Sequence, residues 1–283
     1  MPDTCHATPA ARPRARTGFA ALWRIVYGLY VWFQFTLIGL ACLAVLLCLW
    51  PLERRRALVR RLSRVVLRLA GMRLHLTDLA ALPRPCVVVA NHCSYLDGVV
   101  LAAALPADFG FVIKREMMSV PLAGLLLRRI GAEFIERRAP ARVMSDTRRL
   151  LHHVLAGRAL AFFPEGTFCS DAGLLAFHIG AFAAAARANL PVVPIAIRGT
   201  RHCLPPGSAW PQPGAIHVRV LPALPALPAL PGGVTHDSSR AALLRDRARA
   251  ALLAALGEPD LAAVSAQGGP SGKRAPLTSA RRA

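Results

Sequence analysis

Charge disappears from the chain between Ile25 and Leu52, and the 28 residues of that stretch predict one long apolar helix. At 1.5 Å per residue such a helix extends about 42 Å, enough to cross a bilayer. Trp23, Tyr27, Tyr30, Trp32 and Trp50 lie towards its ends, where amphipathic rings settle at a membrane–water boundary, and Pro51 predicts a stop. The run is too long and begins too late for a cleaved secretory signal. After Pro51 the pattern changes. Arg54, Arg55, Arg56, Arg60, Arg61, Arg64 and Arg68 interleave with Leu58, Val59, Leu62, Val65, Val66, Leu67 and Leu69, the signature of a basic amphipathic helix suited to a membrane surface. Residues 18–71 therefore read as a membrane-anchoring helical hairpin, preceded by an Arg/Pro-rich segment, 1–17, expected to be disordered.

From residue 72 the apolar runs become short and alternate with longer periodic stretches. Strands are predicted at 86–91, 109–114, 132–136, 159–164, 192–198 and 215–221, and helices at 95–105, 119–130, 141–156 and 178–189. That alternation implies a single α/β domain, 72–256, with a mixed or mostly parallel central sheet flanked by helices. Pro194 inside the run Val192 to Arg198 predicts an edge strand or a bulge, because it cannot donate to a ladder. The three-residue repeat from Leu221 to Pro231 predicts an extended linker strapped over the domain, and Ser238 to Leu256 a helix stopped by Gly257. The Gly/Pro/Ser-rich residues 257–283 read as a disordered basic tail.

Against 15 acidic residues stand 35 Lys+Arg, a net charge of +20, which calls for an anionic partner. Nucleic acid is one candidate, but 54% hydrophobic residues, one long apolar segment and the lack of any nucleic-acid motif favour anionic membrane lipid. Arginine density is higher after the apolar stretch than before it, which places the domain that follows on the cytoplasmic side of an inner membrane; an anchor entering one leaflet satisfies the basic residues on both flanks equally well. Seven cysteines without a Cys-x-x-Cys pair suggest neither zinc nor a disulfide framework, and His152-His153 reads as a solvated helix face, so no metal is expected.

Chemistry collects at the ends of the predicted strands. The run Cys86 to Ala90 leads into Asn91-His92-Cys93-Ser94-Tyr95-Leu96-Asp97, delivering an imidazole and a carboxylate together. A neutral imidazole can take a proton from a hydroxyl, and a carboxylate against its other nitrogen fixes the tautomer and stabilises the imidazolium. A second strand, Ala159 to Phe163, runs into Pro164-Glu165-Gly166-Thr167, where glycine allows close backbone approach to a ligand. Between them Gly131 to Arg137 ends on a guanidinium able to fork onto a phosphate or carboxylate.

In these blocks, taken in order with Val193 to Gly199, the chain resembles the 1-acyl-glycerol-3-phosphate (lysophosphatidate) acyltransferases among the glycerolipid acyltransferases, over roughly residues 70 to 222. The resemblance implies transfer of a fatty acyl group from acyl-CoA or acyl carrier protein to a lysoglycerolipid hydroxyl, with no other cofactor. It assigns His92 as general base and Asp97 as its orienting partner, with direct attack by the acceptor. It also assigns Arg137 and the Glu165-Gly166-Thr167 turn to the acceptor's phosphate region, Glu165 bracing a neighbouring cation or the loop itself, and Lys114 as a further source of positive charge.

Two positions depart from that pattern. Phe168 follows Thr167 where the family usually has arginine, and His178 stands where relatives often have lysine. Lysophosphatidate to phosphatidate is the implied reaction, and these changes open the alternative of another lyso-lipid, such as a lyso-ornithine lipid or lysophospholipid. Thioester hydrolysis, with His92 activating water, is a second enzymatic reading. Cys93 or Ser94 acting as a covalent nucleophile is disfavoured, because adjacent residues seldom point together and no Gly-x-Ser-x-Gly elbow surrounds Ser94.

Overall fold

The computed structural model describes residues 18–136, 149–226 and 234–262. Two helices, α1 (Gly18–Cys48) and α2 (Leu52–Leu69), precede a seven-stranded sheet made of β1 (Met72–Thr77), β2 (Val87–Ala90), β3 (Gly110–Lys114), β4 (Glu133–Ile135), β5 (Leu160–Phe162), β6 (Val192–Arg198) and β7 (Gly214–Val220). The strand order is β1-β7-β6-β2-β5-β3-β4. Every neighbouring pair is parallel except β6 with β7, so β1 and β7 run against the other five.

The middle of the sheet is apolar on both faces: Val87, Val88, Val89 and Ala90 are all buried. Such strands read as continuous hydrophobic runs because helices cover both sides. One face packs Val88, Ala161, Val193, Ile195, Ile216 and Val218 against α2 and α3 (Leu96–Ala104). The other packs Val87, Val89, Leu160 and Phe162 against α5 (Gly180–Arg187), α6 (Val234–Leu256) and the helical residues 149–155.

Four expectations need correction. Met72–Thr77 is a strand: Met72, Leu74 and Leu76 alternate with Arg73, His75 and Thr77, a period of two that fits a sheet with one exposed face. The predicted helix 119–130 is a 3₁₀ segment, Arg115–Ser119, followed by α4 (Ala123–Arg129), with Pro121 interrupting the two. Pro194 lies in an interior strand without a bulge. β6 pairs with β2 from Val192 to Ile195 and with β7 only from Ile195 onward, so the position lacking an N–H falls where the β7 ladder has ended. Beyond it Leu224, from the proline-rich segment, exchanges hydrogen bonds of 3.0 and 2.8 Å with Val192. The rest of that segment, 227–233, lies outside the described residues, as do 1–17 and 263–283; the first residues of the tail expected to be disordered, 257–262, are ordered instead, with Leu174 N donating to Pro259 O at 3.0 Å, Leu261 N to Leu174 O at 3.1 Å and Arg249 pairing with Asp260 at 2.6 Å.

The anchor is fastened along its length. Tyr27 Oη donates to Ala70 O at 2.5 Å, Gln34 Nε2 to Val66 O at 3.1 Å and Trp32 Nε1 to Ala209 O at 2.6 Å. At the other end Arg129 Nη2 donates to Leu47 O at 2.8 Å and Arg55 Nε to Leu49 O at 2.6 Å, supplying donors to carbonyls that a helix end leaves unpaired. Opposite these contacts Leu22, Trp23, Ile25, Val26, Leu29, Phe33, Leu37 and Leu40 are exposed, an apolar side left uncovered among the described residues. α2 turns Ser63, Val66 and Leu67 inward onto the domain and leaves Leu52, Val65 and Leu69 exposed together with Arg54, Arg61 and Arg68.

Candidate active site

β2, buried and straight, ends at Ala90, and the chain then turns sharply into α3. Asn91 fixes the start of the turn. Its Nδ2 donates to Ile197 O at 2.9 Å and its Oδ1 accepts from Ile197 N at 2.7 Å, clamping the end of β2 to β6. Asp97, in the first turn of α3 and fully buried, closes the other side. Its Oδ2 accepts from Cys93 N at 2.6 Å and Ser94 N at 2.8 Å, and lies 2.9 Å from His92 Nδ1. An ionised carboxylate is acceptor-only, so Nδ1 carries the hydrogen and Nε2 presents a lone pair. The start of a helix suits the negative charge.

His92 and Asp97 therefore meet, and Glu165 meets them from 73 residues away. Glu165 Oε1 accepts from His92 N at 2.6 Å and Oε2 from Leu175 N at 2.8 Å. Burial pushes its carboxyl up to about 8, outweighing the two backbone donors that lower it; the negative charge of Asp97 adds to the rise. Both oxygens being committed to amides, Glu165 braces the histidine loop. Gly166 next to it has φ +72, a left-handed turn that glycine adopts without a Cβ penalty, and Thr167 is exposed. Lys114 ends β3, two strands from β2, with Nζ 3.6 Å from Glu116 Oε1. Arg137 lies outside the described residues.

Rings enclose the imidazole. Phe163 stacks on His92 with centroids 4.3 Å apart, Phe168 meets it edge-on at 4.5 Å, and Tyr95 meets Phe168 at 4.8 Å. The His92 side chain keeps 18% of its exposure, so the ring is reachable. Cys93 and Ser94 point elsewhere: Cys93 Sγ is 3.2 Å from Thr200 Oγ1, and Ser94 Oγ donates to Leu204 O at 2.7 Å. Burial, reinforced by Asp97, pushes the Cys93 thiol up to about 12, so it stays protonated and poorly nucleophilic.

Arg201 was not singled out from sequence. Its guanidinium donates to Cys169 O and Ser170 O, both at 3.3 Å, and pairs with Glu258 at 3.3 Å, holding the loop that follows Phe168. Its position just beyond the Val193 to Gly199 block was the available signal. Among the described residues no group of three or more His, Cys, Asp or Glu side chains is arranged to hold a metal.

A buried aspartate aligns a histidine at the end of a parallel strand, and residues 73–198, which carry that pair, match the family model described as Acyltransferase. Over 133 residues the chain is 35% identical to 1-acyl-sn-glycerol-3-phosphate acyltransferase BAT2, chloroplastic, of Brassica napus, covering 47% of this chain and 38% of that protein. Over 181 residues it is 34% identical to the lyso-ornithine lipid O-acyltransferase of Rhizobium meliloti (strain 1021), covering 59% of this chain and 61% of that protein. The match thus spans between about two fifths and three fifths of these relatives' lengths. The fold is that of the crystal structure of the 1-acyl-sn-glycerophosphate (LPA) acyltransferase, PlsC, from Thermotoga maritima, with TM-score 0.63, 19% identity, and coverage of 81% of this chain and 95% of that one.

Proposed function

We propose that this protein transfers a fatty acyl group from a thioester, acyl-CoA or acyl carrier protein, to the free hydroxyl of a lysoglycerolipid. The observation that carries the reading is His92 Nδ1 held 2.9 Å from the buried carboxylate of Asp97. His92 Nε2 takes the acceptor's hydroxyl proton as the oxygen attacks the thioester carbonyl. The new C–O bond forms, the C–S bond breaks, and the thiolate leaves with the proton held on the imidazolium. Asp97 keeps the tautomer and stabilises the transient cation. No acyl-enzyme is required, which agrees with Cys93 and Ser94 being turned into the protein.

Lysophosphatidate is the acceptor favoured by the names of several relatives, with Arg137 and the Glu165-Gly166-Thr167 turn serving its phosphate region and Lys114 adding charge. A second reading, another lyso-lipid, has its own support: Phe168 lays an aromatic edge on His92 where a phosphate-reading cation was expected, and the Rhizobium relative is described as acting on lyso-ornithine lipid. A panel of lyso-lipid acceptors with labelled acyl-CoA, run on wild type and Arg137→Ala, separates them. A defect confined to phosphate-monoester acceptors supports lysophosphatidate, and equal loss with all acceptors removes Arg137 from that role. Label released as free fatty acid irrespective of acceptor would favour hydrolysis.

The exposed apolar side of α1 supports membrane association, and the higher arginine density after α1 than before it favours a domain on the cytoplasmic face. Because both ends of α1 are bonded to one domain, the arrangement favours entry into a single leaflet over crossing.

A further inference from the structure

Between Met117 and Leu127 the α/β domain carries a run without charge, preceded by Lys114 and Arg115 and followed by Arg128 and Arg129. An apolar segment bracketed by long cationic side chains suits a membrane boundary, because their stems lie along the apolar part while their heads reach the phosphates. The one carboxylate beside the run, Glu116, sits 3.6 Å from Lys114 Nζ. The fold leaves much of the run uncovered. Met117, Val120, Leu122 and Leu125 are 37%, 41%, 54% and 38% exposed.

The backbone is bent to present it. Leu122 has φ +59 and ψ −52, and Ala123 N donates to Pro121 O at 2.6 Å, the strained form of γ-turn that a bulky side chain seldom adopts. Gly124 N donates to Val120 O at 2.8 Å, and a Cβ on Gly124 would stand 2.3 Å from Met118 O. The segment is thus a hook closed tightly on itself, with the most exposed of its four apolar side chains at the strained turn. Its neighbour indicates the partner. In α4 Leu126 and Leu127 pack against the cluster of Cys42, Leu46 and Ile130, so the hook and the uncovered apolar side of α1 belong to adjoining elements.

We propose that the hook from Met117 to Leu125 enters the same leaflet as α1, a second membrane contact made by the α/β domain itself. The proposal rests on α1 being the anchor. β3, which leads into the hook, ends on the same side of the sheet as β2 and lies two strands, or about 10 Å, from it. A seated hook therefore holds His92 near the level of the headgroups, where a lysoglycerolipid presents its hydroxyl. The test uses the full chain with Cys5→Ser and Cys48→Ser, the other native cysteines being buried. Single cysteines are introduced as Val120→Cys, Leu122→Cys, Phe33→Cys on α1 and Leu155→Cys, the last exposed among the helical residues that cover the opposite face of the sheet. Each is labelled with nitrobenzoxadiazole and reconstituted in phosphatidylcholine–phosphatidylglycerol vesicles containing a lipid with a nitroxide near the top of its acyl chain. The labels at Val120, Leu122 and Phe33 should lose at least about half their fluorescence to the nitroxide lipid and little to aqueous iodide. The label at Leu155 should behave in the opposite way. If Phe33 is quenched by the lipid while Val120 and Leu122 both follow Leu155, the hook stays in water and the proposal is overturned, with the anchor role of α1 intact. If Phe33 also escapes the nitroxide lipid, both fall together. Labels at Val120 and Leu122 shielded from iodide yet untouched by the nitroxide lipid would mean protein cover, such as a second copy of this chain, and overturn the lipid assignment.

Discussion

One oxygen, Asp97 Oδ2, receives the His92 ring and two backbone amides, while Oδ1 is buried with no partner among the described residues. The carboxylate thus shapes the turn and aligns the base at once. Asp97→Asn keeps the volume and an oxygen for the three donors, but that oxygen is neutral and cannot stabilise the imidazolium as an anion does. Turnover should fall at least ~100-fold with binding of the acceptor largely retained, and His92→Ala should fall further, whereas Cys93→Ala and Ser94→Ala retain most activity. An acyl adduct on either side chain by intact-protein mass spectrometry would reverse that assignment. Glu165 gives a pH signature. With its pKa up at about 8 from an ordinary 4.5, the folded protein holds a proton that the unfolded chain has released. Stability is therefore greatest below the unfolded value, declines as pH rises through that window, and flattens above about 8. Glu165→Gln should remove this slope, read as the difference in urea midpoint between pH 5 and pH 8.5.

At the scale of elements, Asn91 and Gly199 hold the strand ends that carry the chemistry. Asn91→Ala strips two hydrogen bonds from Ile197 in a dry place and should cost about 2–4 kcal/mol in denaturant unfolding, with His92 misplaced even where the fold survives. Gly199 has φ +90, and a Cβ there would stand 2.1 Å from Ala215 O, so Gly199→Ala should lose at least ~2 kcal/mol. The His92–Asp97 pair was legible because both residues lie within one turn of chain, and most strands were legible as short apolar runs. The bond from Glu165 to His92 N was not, since it depends on β5 lying beside β2, an order that no local pattern encodes. β1 escaped notice because six alternating residues directly after a long helix resemble its frayed end, and their meaning comes from β7. Pro194 misled because the rule about edges concerns the missing donor, and here the neighbouring ladder stops short of it.

For the molecule as a whole, the anchor and the enzyme share a core: Val31 of α1 and Leu67 of α2 belong to the same buried cluster as Val88 and Ile195 of the sheet. Removing residues 1–51 should therefore yield an insoluble or loosely packed protein rather than a soluble enzyme, which a near-UV circular dichroism spectrum would reveal. In sealed vesicles a membrane-impermeant maleimide should reach Cys48 and a cysteine placed at Ala20 from one and the same side; labelling from opposite sides would mean that α1 crosses. The outermost strand has another consequence. Met72 pairs with Gly214 and Thr77 with Arg219, so the first strand to leave the ribosome waits for the last. During synthesis α1 emerges long before β7 exists to seal that flank, so the site around His92 is completed last, on a helix that has been waiting for it.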